Sequence, residues 1–397
     1  MRIIRGIRKF WATALAGCGC LFAIIPETPA QSWTPTLAPS MDWISLASSA
    51  DGSRLLAASY TALLLSTNAG VTWTTNNVPS HAWACVASSA DGNELLAGEG
   101  FTGAGLIYFS TNGGAIWTTS SVPIKTWSSL AMSADGTEAM ALSSTTGSPL
   151  YVSTNSGATW TTNAFSASFV ESVVSSLNGN QWEVVQPVLN GGVLLISTNF
   201  GVSWTSNYIN ATLLDSPHMA ASADGSTIVV GQAGNGGYIY TSTNSGVSWY
   251  TNSVHRVWGS VAASADGRRM IAVSYPSIYT SPDSGMTWVS NNAPGLSWSA
   301  AASSADGNVL YAAAYPGGIY TLRTTPAPSL NLSLTPANGS AGLSWTIPST
   351  NFVLQQSPDL ANWSGVTNAS TLNPTNLQNQ VTVPLTNNEG FYRLTTP

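Results

Sequence analysis

Charge is the scarcest commodity in this chain. Only 7% of its 397 residues are Asp, Glu, Lys or Arg, against roughly 25% in an ordinary soluble domain. Hydrophobic residues make up 44%, a combination that excludes the apolar-poor, highly charged class of disordered chains. Bases number 11 against 17 acids, and four of the bases (Arg2, Arg5, Arg8, Lys9) crowd the first nine positions. Beyond residue 30 only seven bases face 16 acids. A polyanion-binding face needs clustered Lys and Arg, so nucleic acid is excluded as a partner.

Cysteine, histidine and long apolar runs are nearly absent as well. The longest apolar run, residues 10–25, has 16 residues, short of the ~20 that a membrane span needs. It follows the basic residues 1–9 and precedes Thr28-Pro29-Ala30, which reads as an export signal cleaved near Ala30. Leu15-Ala16-Gly17-Cys18 resembles a bacterial lipobox, with Cys18 as the lipidated residue. Cleavage near Ala30 is preferred, because residues 21–25 continue apolar beyond that cysteine. The expected location is therefore outside the cell or in the cell envelope, with no transmembrane span in the mature chain. Loss of Cys18 and Cys20 leaves Cys85 alone, so no intrachain disulfide is available. His81, His218 and His255 show no metal-ligand spacing, and no phosphate-cradling loop or nucleophile elbow occurs. The expectation is no cofactor and no metal.

What the chain has in abundance is repetition. Ser-Ala-Asp-Gly recurs at 49–52, 89–92, 133–136, 222–225, 264–267 and 304–307, with Ser176-Leu177-Asn178-Gly179 as a degenerate copy. The steps between copies are 40 to 46 residues. Interleaved with them, Ser-Thr-Asn-x-Gly-x-x-Trp occurs at 66–73, 110–117, 153–160, 197–204 and 242–249, and residues 281–288 carry a sixth copy with Asp283. Asp-Gly and Asn-x-Gly supply the positive φ that tight hairpins require. Four short strands per period is the pattern of a β-propeller blade. The last unit lacks a fourth strand, and residues 33–37 supply one by analogy with 73–77. The expected fold is all-β: a seven-bladed β-propeller over 31–324 closed by its N-terminal strand, after a signal peptide at 1–30. A Pro-rich linker at 325–329 then leads to a small β-sandwich-like module at 330–397.

The boxes resemble the Asp-box, or bacterial neuraminidase, repeat of the sialidase-like superfamily. That group includes sialidases, xyloglucan-active glycosidases, sortilin-like receptors and photosystem II assembly factor-like propellers. The chain departs from the pattern by carrying Asn68, Asn112, Asn155, Asn199 and Asn244 in five boxes. The tail, with Leu343-Ser344-Trp345 and Gly390-Phe391-Tyr392-Arg393-Leu394, is similar to a fibronectin type III-like module of secreted bacterial proteins. The resemblance implies a fold shared by enzymes and pure binders, so function must come from the site.

Strand order puts the Asp-Gly turns and the boxes on one rim of the ring. The other rim carries the connections between blades and the loops between second and third strands, where propeller ligands bind. Asp51, Asp91, Asp135, Asp224, Asp266, Asp306 and Asp283 read as turn formers rather than catalysts. A sialidase needs three converging arginines, but Arg54, Arg268 and Arg269 follow Asp-Gly turns on the other side. A glycoside hydrolase needs two facing carboxylates. The acids expected on the ligand rim are Asp42, Glu99, Glu171 and Asp215, of which Glu171 and Asp215 belong to neighbouring blades. Glu183 stands where other blades have Leu56, Leu96, Met140, Val229, Ile271 and Tyr311. Either it is a buried acid with a perturbed pKa, or a one-residue shift puts Trp182 inward and Glu183 out; the shift is preferred.

Five tryptophans lie eight residues before a turn Asp: Trp43, Trp83, Trp127, Trp258 and Trp298. They are candidate ligand-stacking rings at the channel mouth, and packing between blades is the competing and preferred reading. Val170 and Ser216 break this series beside Glu171 and Asp215. The leading expectation is an exported, monomeric, non-catalytic propeller that binds a glycan or protein on the rim of inter-blade loops. A sialidase-like glycoside hydrolase using Glu171, Asp215 and Glu183 is the alternative.

Overall fold

The computed structural model describes residues 32–397 apart from 77, 79–81, 101–102, 146, 148, 164–171, 177–178, 189–190, 211–215, 235, 325–329, 336–339, 347–352, 358–361, 363, 367–370, 374–377, 385–390 and 396–397. Seven four-stranded antiparallel sheets form a β-propeller, and the described residues contain no helix. In the first blade Trp43–Ser48, Leu55–Ser59, Leu63–Ser66 and Thr74–Thr75 run in sheet order from the channel outward. The seventh is completed from the other end of the chain. Thr34 pairs with Thr321 and Pro35 with Tyr320, and the Thr36 N–H donates to Ile319 O at 2.8 Å. The N-terminal strand thus closes the ring, which removes the open edge between first and last blades.

Each turn is built by its own side chains. Ser49 Oγ donates to Asp51 Oδ1 at 2.6 Å, the Ser53 N–H donates to the same oxygen at 2.8 Å, and the Arg54 N–H donates to Ser49 Oγ at 2.9 Å. Gly52 takes φ 71°, which a residue without Cβ adopts freely. The pattern repeats around Asp91, Asp135, Asp224, Asp266 and Asp306. Burial opposes ionisation at Asp91, Asp135 and Asp224, yet the converging hydrogen bonds hold these carboxyls below the usual carboxylate range. In the boxes Asn68 Oδ1 accepts the Thr72 N–H at 2.8 Å, and Asp283 Oδ1 accepts the Thr287 N–H at the same distance. Asn therefore performs the turn role of Asp.

The blades are stitched to one another at these turns. The Ala50 N–H donates to Ala90 O at 2.7 Å, Ala90 to Ala134 at 2.8 Å, Ala223 to Ala265 at 2.7 Å, Ala265 to Ala305 at 2.6 Å, and Ala305 back to Ala50 at 2.8 Å. The second strands are buried on both faces, as in Leu55–Ser59 and Met270–Ser274, because a neighbouring blade covers each side; in blade four this holds for residues 182–185 of the longer strand Trp182–Val188. The fourth strands are short and rich in exposed Thr, as at Thr74–Thr75 and Thr118–Thr119; such edges discourage pairing between molecules.

The tail forms a four-stranded sheet from Leu330–Thr335, Ser340–Thr346, Gln378–Pro384 and Thr371–Asn373. A three-stranded sheet adds Ser364–Gly365, Val353–Ser357 and Phe391–Thr395. Leu343, Trp345, Leu354, Val381 and Val383 form the core that the two sheets share.

Candidate binding rim

The five aligned tryptophans are buried, which removes them as stacking surfaces. Trp43 packs with Leu46 and Leu64 of its own blade and with Val309, Tyr311 and Ile319 of the seventh. Trp83, Trp127, Trp258 and Trp298 fill the equivalent seams. The cause is local. In each of these five blades the register shifts just after the indole, between Trp43 and Ser45 and at the matching places. One extra residue in the strand turns the indole from the channel face into the blade interface. No such shift occurs along the inner strands of blades four and five, Ser172–Ser175 and Pro217–Ala221, whose units lack the tryptophan. At the seam of blades three and four Trp182 supplies the buried indole instead, with Phe200 edge-on to it at 5.6 Å between ring centroids.

Glu183 is also buried, against the preferred expectation of a shifted register. It pairs with Val174 and Ile196 as Leu56 pairs with Ala47 and Leu65. Trp182 therefore faces blade three while Glu183 faces blade five. Gln181 Nε2 donates to Glu183 Oε1 at 2.7 Å and to the carbonyl of Gly225, in the next blade's turn, at 3.1 Å. Oε2 is buried with no hydrogen-bond partner among the described residues. Desolvation pushes this carboxyl up to about 8, with the nearby Asp224 charge adding to the effect. Glu183 thus lies at the turn end of the molecule, walled in between blades. Glu171 and Asp215 lie outside the described residues, as does Val170.

The other rim acids separate. Glu99 is buried and accepts the Leu106 N–H at 3.0 Å, so it braces the loop between second and third strands of blade two. Asp42 is exposed at the start of blade one. Burial pushes the Cys85 thiol up to about 12 and His218 down to about 4, leaving both neutral. His255 stacks edge-on with Tyr238 at 4.8 Å between centroids. Among the described residues no group of three or more His, Cys, Asp or Glu converges to hold a metal ion. A cavity of about 190 Å³ on the channel axis at the turn end is lined by Ser48, Ser88, Met132, Ser175 and the ring of alanines. It carries no charged side chain, and Ser48 and Ser175 turn their hydroxyl hydrogens to backbone carbonyls.

Tyrosine, rather than tryptophan, faces solvent on the loop rim. Ser274-Tyr275-Pro276 in blade six and Ala314-Tyr315-Pro316 in blade seven end their second strands in the same way, each through a cis proline. Tyr275 is 69% exposed and Tyr315 38%. Tyr60 holds the corresponding place in blade one and meets Tyr315 at 5.7 Å, with the rings 83° apart. Desolvation, the contact with Tyr315 and the Asp42 charge together push the Tyr60 hydroxyl up to about 12. Three consecutive blades therefore present an aromatic arc ending near Asp42. The repeated Tyr after strand two is visible in the sequence at Tyr60, Tyr275 and Tyr315.

Neither a protein-family model nor a curated protein sequence matches the chain. Solved structures do. YCF48 from Cyanidioschyzon merolae aligns over 74% of this chain and 98% of its own, at 16% identity and a TM-score of 0.56. The Kuenenia stuttgartiensis hydrazine synthase aligns over 76% of this chain and 99% of that one, at 15% identity and a TM-score of 0.61. A structure of YCF48 bound to D1 peptide aligns over 76% and 98%, at 13% identity and a TM-score of 0.55. At such identities the likeness concerns the propeller fold.

Proposed function

We propose that this protein is a non-catalytic recognition propeller that binds a protein partner on its loop rim, over blades six, seven and one. The observation that carries the reading is the arc Tyr275–Tyr315–Tyr60, whose first two members are exposed and whose third is half-buried against Tyr315. Tyrosine supplies large contact area at small conformational cost and is enriched at protein interfaces. The peptide complex of the structurally similar YCF48 propeller supports a peptide as the ligand class. The hydrolase reading loses its third acid, because Glu183 is sealed between blades at the opposite end. In the same reading the six boxes are Asp-box repeats, five in an Asn form and one with Asp283, the tail is an accessory β-sandwich of fibronectin type III kind, and residues 1–30 direct export. A peptide-display selection against the whole protein tests the binding claim. The expected outcome is enriched sequences that lose binding to Tyr275→Ala and Tyr315→Ala; failure to enrich any sequence, or equal binding to both variants, refutes it.

A further inference from the structure

The arc has a shape that selects among ligands, and this inference rests on the loop rim being the binding face. Its backbone is fixed by contacts between blades. The Tyr315 N–H donates to Ser297 O at 2.7 Å, and Met41 and Gly317 exchange two backbone hydrogen bonds of 2.9 and 3.0 Å across the seam of blades seven and one. Pro276 of blade six lies against Gly295 of blade seven, 3.8 Å from where a Cβ would stand. Gly295, Ser297 and Pro316 are exposed between the tyrosines, so the surface is continuous. A scaffold held in this way loses little further freedom when a ligand arrives.

Ring geometry decides between the two ligand classes that stack on aromatics. A sugar needs an open, flat face, whereas Tyr60 and Tyr315 stand 83° apart and form a corner of one face and one edge. A pyrrolidine ring is small, rigid and rich in C–H, and it fits the right-angled corner that two rings in edge-to-face contact leave beside them. Segments of such residues are already extended before binding, and aromatic-lined grooves recognise them for that reason. Asp42 is exposed beside the Tyr60 end of the arc, close enough for its charge to act on that hydroxyl.

We propose that the Tyr275–Tyr315–Tyr60 arc takes a proline-rich segment in the polyproline II conformation, with a Lys or Arg of that segment paired to Asp42. The partner is thus a protein with an exposed Pro-rich stretch bearing a basic flank. Fluorescence anisotropy on the full-length protein tests this with a labelled decaproline, the same peptide with Arg at either end, and a Gly-Ser peptide of matching length and charge. The Arg-bearing proline peptides bind saturably, and Tyr275→Ala and Tyr315→Ala each weaken them by ~10-fold or more. Asp42→Asn brings the Arg peptides down to the affinity of plain decaproline, and raising the salt concentration has the same effect. Unchanged thermal unfolding of Tyr275→Ala, a solvent-exposed site, separates lost binding from lost fold. Equal binding of the Gly-Ser peptide, or indifference to both Tyr variants, overturns the inference. Display-selected peptides that need both tyrosines but contain no proline overturn it while leaving the broader reading of the rim intact.

Discussion

The hydroxyl of Tyr311, in the seventh blade, donates to the carbonyl of Gly52 in the first at 2.7 Å, and the Tyr311 side chain is fully buried. This bond crosses the seam where the two ends of the propeller meet. Its removal leaves a buried carbonyl without that donor. Tyr311→Phe is expected to lower stability by about 1–3 kcal/mol, read as a lower urea midpoint with an unchanged slope. An unaltered midpoint refutes the claim that this bond secures the closure.

Glu183 occupies the same place in blade four that Tyr311 holds in blade seven, but its carboxyl is an ill-suited tenant. Its pKa rises from the ordinary 4.5 to about 8 on folding, so the folded state holds the proton more tightly than the unfolded one. Stability is therefore greatest below about 4.5 as far as this group is concerned, falls as pH rises toward about 8, and levels off above that. Glu183→Gln keeps the bond from Gln181 possible and removes the titration. Urea midpoints at pH 5, 7 and 9 should show the variant stable by a few kcal/mol relative to wild type at pH 9, with the gap narrowing toward pH 5. Parallel pH curves for the two proteins contradict the account.

The buried indoles make a contrasting forecast. Trp127 is 1% exposed and contacts Tyr151 edge-on at 5.1 Å between centroids. Trp127→Ala leaves a cavity between blades two and three and should cost about 3–5 kcal/mol. Thermal unfolding measures it. A loss below about 1 kcal/mol would mean that the ring is exposed and available to ligands after all.

The boxes offer a test of side-chain identity. Asn68→Asp preserves the acceptor for the Thr72 N–H, as Asp283 does for Thr287, and should be within about 0.5 kcal/mol of wild type. Asn68→Ala removes the acceptor and should cost about 0.5–2 kcal/mol. Equal denaturation curves for all three proteins would show that the box side chain contributes nothing.

Period and turn chemistry made the architecture legible before any coordinates. Asp-Gly and Asn-x-Gly demand positive φ, and their spacing dictates four strands per unit, so the blades and the closing strand at residues 33–37 could be read directly. For Trp43 and its counterparts the sequence favoured packing between blades over exposure at the channel mouth, but it did not show the device that turns them there. A single inserted residue reverses which face an indole takes, and an inner strand of Ser and Ala has no hydrophobic alternation to betray it. Glu183 departs from the expected register for a related reason. Burying an unpaired carboxyl is costly, so a register shift was the cheaper reading; the fold instead tolerates the acid by raising its pKa. The tyrosine arc is a property of the closed ring: Tyr275 and Tyr315 are 40 residues apart in blades six and seven, and Tyr60 joins them only when the ring closes.

The central claim is that partners dock on the loop rim rather than on the turn rim. Hydrogen exchange of the full protein, with and without a peptide taken from the display selection, tests it most directly. The account predicts slowed exchange at residues 41–42, 60–62, 275–277, 295–297 and 315–318, with the box turns at 68–72, 199–203 and 244–248 unaffected. Protection confined to those box turns would contradict it.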